Sequence, residues 1–145
     1  MSIPRWLVGT WRLIGWERQL PNGNFEHPYG MKPVGLVIYS EDGFMSVQIM
    51  RSEDGLRPAK ASSQKARAFA RDYTSYCGRF DVDEEHAVIT HHVEASLYTP
   101  WVGGDELRRY QQVDSRLVLY PARESDGSQS VLSWQKTGDY RLVMD

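Results

Sequence analysis

Cysteine is nearly absent: Cys77 is the only one among 145 residues, so no intramolecular disulfide can staple the fold. Nothing beside it in sequence marks it as an activated thiol, and it reads as a small strand residue. Apolar runs are short, and none approaches the roughly 20 residues that cross a bilayer. The opening MSIPRWLVGTW lacks a charged segment followed by a long apolar one, so a cytoplasmic protein with no membrane partner is expected. Charge of one sign is lacking too. With 17 basic against 19 acidic residues and no basic run, the chain carries no electrostatic footprint for nucleic acid. No G-x-S-x-G elbow is present, which leaves serine-hydrolase chemistry without its usual scaffold.

What remains fits one domain spanning residues 1–145, long enough to bury a core without staples. Aromatics are plentiful, with five Trp and eight Tyr, and many fall inside segments that alternate with period two. Such rings suit a sheet core or a barrel lumen. The segment LVGTWRLIGWERQ (7–19) reads as a long first strand, in which Gly9 and Gly15 permit a bend or a close backbone approach. PNGN (21–24) is a turn signal, and GLVIYS and FMSVQIM form a hairpin around Glu41-Asp42-Gly43. In the second arm of that hairpin Phe44, Ser46, Gln48 and Met50 share one face, a mixture that suits a pocket wall or a solvated face.

Residues 51–63 read as a loop. A helix is expected after Ser62 or Ser63, with Ala66, Phe69, Ala70 and Tyr73 forming its apolar stripe. Strands follow at 76–82, on both sides of TPWVGG within 86–112, at 116–120 and at 130–136. Eight strands joined mostly by short turns, with one helix between the third and fourth, either leave two exposed edges or close on themselves. Closure into an all-β, eight-stranded antiparallel up-and-down barrel is the expectation.

The opening LVGTWRL resembles the G-x-W signature of lipocalins, with Gly9 and Trp11 at the matching positions. YSEDGFMSVQIM, YCGRFDVD, THHVEASL and WVGGDELRRY, in that order, are similar to the microbial lipocalin-like domain family. The resemblance covers about residues 5–136. It implies a calycin-type barrel with an internal cavity, and it also implies that Arg108 and Tyr110 face the lumen.

The hairpin at 86–112 carries the candidate chemistry. Alternation puts Thr90, His92, Glu94 and Ser96 on one face and Ile89, His91, Val93, Ala95 and Leu97 on the other. The polar face either looks at water or lines the lumen. If it lines the lumen, and if even-numbered residues pair across the turn, Ser96 lies near Arg108 and Glu94 near Tyr110. A shift by one residue would bring Arg109 and Gln111 there instead. A lumenal Glu94 would then need Arg108 as its counter-ion. His92, Glu94 and Arg108 become candidate catalytic groups, two for proton transfer and one for stabilising oxygen charge. Trp11, Ser46, Gln48, Tyr76, Ser96, Tyr110 and Trp134 become candidate ligand contacts.

No cofactor and no metal are expected. His92 and Glu94 supply two ligands on one side, but a third would have to come from His27 or His86, and nothing demands haem on His91 or His92. Two functions compete: binding of a small, largely apolar molecule with one polar group, and cofactor-independent isomerase, cyclase or lyase chemistry on such a molecule. A third reading is an interaction module, for instance a homodimer formed through the loop at 51–63, with a lumen full of side chains.

Overall fold

The computed structural model describes residues 2–51 and 72–138. Nine strands run in the order β1 (Gly9–Gln19), β2 (Phe25–Glu26), β3 (Val34–Tyr39), β4 (Phe44–Met50), β5 (Tyr73–Asp83), β6 (Val88–Ser96), β7 (Asp105–Val113), β8 (Arg116–Pro121) and β9 (Gln129–Lys136), with one 3₁₀ turn at Thr99–Trp101. Each strand from β3 onward pairs antiparallel with its sequence neighbour, and β1 pairs with both β3 and β9. The sheet therefore closes into an eight-stranded barrel. Closure satisfies both edges, and the two-residue β2 adds a stub to β1.

All eight expected strands are present, and β2 is additional. The expected helix falls outside the described residues except at its last two positions, the second of which, Tyr73, opens β5. Among the described elements the only helical one is the 3₁₀ turn; of the expected helix only Asp72, which is helical, and Tyr73 are described.

The barrel has two unlike halves. Toward the end where β1 begins and β3 ends, the interior is solid, filled by Leu7, Trp11, Tyr39, Met45, Phe80, Val82, Ile89 and Leu117, all buried. The segment before β1 seals that end. The Trp11 indole N–H donates to the Leu7 carbonyl at 2.9 Å, and the Lys136 ammonium donates to the Trp6 carbonyl at 2.8 Å. Tight turns account for the other connections there, with positive φ at Gly43, Ala87 and Asp114. The opposite end has the long connections at 20–33, 97–104 and 122–128, and the described residues leave it unfilled.

Two β-bulges shape this barrel, and each reverses which parity points inward. In β1 the register against β9 shifts between Leu13 and Gly15, leaving Ile14 exposed. Inward residues therefore change from Trp11 and Leu13 below the bulge to Trp16 and Arg18 above it. In β6 the register shifts where Cys77 pairs with Ala95 and Gly78 with Val93, so Glu94 is the extra residue. A Cβ at Gly78 would lie 1.8 Å from the His92 carbonyl oxygen. Only glycine permits that approach.

Candidate functional site

The unfilled half is a cavity of about 510 Å³ opening at one end of the barrel. Its two sides differ in chemistry. Val37, Val47, Ile49, Leu119, Leu132, Trp16 and Trp134 form the apolar side, contributed by β3, β4, β8, β9 and β1. Tyr76, His91, Glu106 and Arg108 form a polar patch on the adjacent strands β5, β6 and β7, with Trp101 of the 3₁₀ turn above them. A largely apolar wall with a few convergent polar groups is the usual furnishing of a small-molecule pocket.

His91 is the centre of the polar patch. It is 2% exposed, and both ring nitrogens are engaged: Nε2 lies 2.7 Å from the Tyr39 hydroxyl and Nδ1 lies 2.6 Å from the Tyr76 hydroxyl. Burial, reinforced by the positive charge of Arg108, holds the imidazole well below the usual histidine range, so the ring is neutral. Burial also pushes both tyrosines up, Tyr39 strongly; the Arg108 charge offsets part of the rise at each. Arg108 Nη1 donates to the Leu107 carbonyl at 3.1 Å and stands 3.5 Å from the Glu106 carboxylate. This pair is loose and faces the cavity.

Arg18 lies on the rim of the mouth. Its guanidinium binds Glu26 of β2, and it holds Glu124 of the 122–128 loop with two bonds, Nε at 2.6 Å and Nη2 at 3.0 Å. These bonds, first those to Glu124, raise the already high guanidinium pKa further. Beside this clamp the Trp16 indole donates to Ser130 Oγ at 3.0 Å, and Tyr29 and Thr74 share a hydroxyl hydrogen bond of 2.8 Å.

The candidates from sequence divide into three groups. Tyr76, Trp134 and Arg108 line the cavity as expected. Trp11 and Tyr110 face inward but belong to the packed half, Trp11 at 1% exposure and Tyr110 against Trp6 with ring centroids 5.4 Å apart. His92, Glu94, Ser46 and Gln48 do not enter the lumen. Met45, Val47 and Ile49 are the buried residues of β4, so Ser46 and Gln48 point outward and border a shallow external groove with Ser75, Cys77, Ala95 and Ser96. Ser96 sits past the bulge, opposite Tyr76, and its buried hydroxyl has no partner among the described residues.

Of the two expected hairpin registers, the pairing of even with even positions is overturned, and the parity is that of the one-residue shift. Ile89 lies opposite Arg108, His91 opposite Glu106 and His92 opposite Asp105, so odd positions of β6 pair with even positions of β7. Glu94 lies beyond this ladder, exposed at the bulge, and does not meet Arg108. His92 stands on the outer wall, where Nε2 meets Asp81 at 2.6 Å and Nδ1 meets Asp105 at 2.7 Å. Those two carboxylates, Asp105 first, raise its pKa. The physical reason is simple: the face with Ile89 and Val93 is the apolar one, and a barrel interior takes the apolar face even when it includes a histidine.

Sequence reasoning did not single out His91, Glu106, Trp16 or Arg18. His91 was findable, since it alternates with Ile89 and Val93. Trp16 and Arg18 were hidden by the bulge at Ile14. Among the described residues no cluster of three His, Cys, Asp or Glu side chains could hold a metal ion.

A closed antiparallel barrel, sealed at one end and open at the other onto a mixed apolar and polar lumen, defines a calycin-type architecture. Residues 8–137 match the lipocalin-like domain family, and the chain belongs to that family. Among solved structures it is similar to a lipocalin-like protein from Bacteroides uniformis ATCC 8492, at 18% identity and a TM-score of 0.49, covering 90% of this chain and 98% of that one. No curated protein matches the chain.

Proposed function

We propose that the barrel binds a small, largely apolar molecule carrying one polar group. The observation behind this reading is the cavity of about 510 Å³, within the range of small-molecule sites. A fold that needed only stability would fill its upper half as it fills the lower one, because voids forfeit packing contacts. Trp16, Trp101 and Trp134 suit flat or ring-shaped apolar bodies. The polar patch on β5, β6 and β7 would take the polar group.

Calorimetric titration with ethylnaphthalene tests the apolar part of this reading. Uptake of one molecule per chain is expected, and Leu119→Trp, which places an indole in the cavity, should reduce affinity at least tenfold while the protein stays folded. Absence of uptake by the unmodified protein, or equal affinity in the variant, would overturn it. Native mass spectrometry of freshly expressed protein reads the same site directly if a ligand co-purifies.

A further inference from the structure

Hydrogen-bond accounting around His91 fixes which way the polar patch donates. Tyr39 is fully buried, and its hydroxyl has one hydrogen-bond partner among the described residues, Nε2 of His91. A phenol has a single hydrogen to give. If Tyr39 accepted from Nε2–H instead, its own hydrogen would be buried without an acceptor, which costs a full desolvation penalty. Tyr39 therefore donates to Nε2, and the neutral imidazole carries its hydrogen on Nδ1. Nδ1–H then donates to the Tyr76 oxygen at 2.6 Å.

This leaves Tyr76 with its hydrogen unspent. The side chain lines the cavity, so its O–H is presented to whatever lies there. Arg108, on the same patch, meets the Leu107 carbonyl and the Glu106 carboxylate through Nη1 and reaches the Tyr76 hydroxyl oxygen, which can accept from it and still keep its own hydrogen. Nη2 and Nε have no carboxylate or backbone acceptor among the described residues. Two donors thus converge on one region of the wall. Arg108 and Glu106 balance in charge, so the patch as a whole offers no net positive charge to an anion.

We propose that Tyr76 and Arg108 form a seat for a neutral oxygen acceptor, and that the ligand class is an apolar ring compound bearing a carbonyl group, with Tyr39 and His91 as positioning residues that keep Tyr76 a donor. This deepens the small-molecule reading and rests on it. The seat selects against a ligand whose polar end can only donate, because such a group would face Tyr76 O–H and the guanidinium, and the one carboxylate of the patch, Glu106, already stands beside Arg108.

A matched series separates the two readings: acetonaphthone (a ketone), ethylnaphthalene (its hydrocarbon counterpart) and naphthylmethylamine (a cation with donors only). The ketone is expected to bind about tenfold tighter than the hydrocarbon, the worth of one or two net hydrogen bonds, and the amine weakest. Tyr76→Phe should bring the ketone-to-hydrocarbon affinity ratio down toward one. The infrared carbonyl band of acetonaphthone bound to the unmodified protein should lie at lower wavenumber than in hexane, which requires no variant. Tyr39→Phe, outside the cavity wall, should move that band back upward, a shift that loss of packing alone would not produce.

Equal binding of ketone and hydrocarbon, an unshifted carbonyl band, or preference for the amine would overturn the carbonyl seat and leave the apolar cavity standing. Failure of every probe to bind would remove the cavity reading and the seat with it.

Discussion

His91 and His92 are adjacent in the chain and live in different media. His91 is sealed between two tyrosines inside the barrel, neutral, its pKa driven down by burial. His92 is on the outer wall between two aspartates, its pKa driven up by them. The difference comes from strand alternation alone, since one step along β6 carries a side chain through the sheet. Residue type is therefore a poor guide to site membership in this fold; position relative to the apolar face is the better one.

The sharpest way to break the comparison is to disturb the device that sets the faces. Gly78→Ala pushes a methyl group into the His92 backbone, a contact that no side-chain rotation relieves, and should cost about 3 kcal/mol or more. Urea unfolding at neutral pH measures it. A variant within 0.5 kcal/mol of the parent, by the ordinary scatter of neutral substitutions, would mean that the β5–β6 bulge is not held as described.

Next in size is Tyr39→Phe, which leaves the buried Nε2 of His91 without its donor. A loss of about 1–3 kcal/mol is expected, again by denaturant titration. Little or no loss would show that His91 does not depend on Tyr39.

The smallest effect is the pH dependence, where the two histidines act with opposite sign. For His91 the folded pKa is depressed below an unfolded value of about 6.5. As pH falls through that value the unfolded chain takes up a proton that the folded chain refuses, so stability declines toward acid. For His92 the folded pKa is raised. Its contribution is fully present below about 6.5 and fades as pH rises through the folded pKa. His92→Gln should accordingly be less stable than the parent at pH 5.5 and converge with it at alkaline pH. The gap should stay under about 1 kcal/mol, since the pair is solvent-exposed. Thermal melts across pH 5 to 9 would contradict this if the gap widened toward alkali.

Strand positions were legible because alternation, turn chemistry and the G-x-W opening agree on them. Gly15, marked in the sequence as a bend, does sit at the β1 irregularity. Faces were less legible. Reading the polar side of HVEAS as lumenal set His92 and Glu94 inside, whereas Ile89 and Val93 mark the buried side. Even a correct start would have failed halfway along β1 and β6, because a bulge inserts one residue and inverts the alternation beyond it. Trp16 and Ser96 lie past those inversions, and period-two reasoning has no signal for the step. Arg18 is a different case: its importance depends on Glu124, more than a hundred residues away, which no local pattern connects to it.

That arginine has a kinetic consequence. On the binding reading proposed above, a guest enters and leaves at the end away from the segment before β1, across a rim where this guanidinium staples β1, β2 and the 122–128 loop through exposed ion pairs. Such pairs weaken as salt rises. Residence time in this cup should therefore shorten with ionic strength even for an uncharged guest, because the salt acts on the door and not on the occupant.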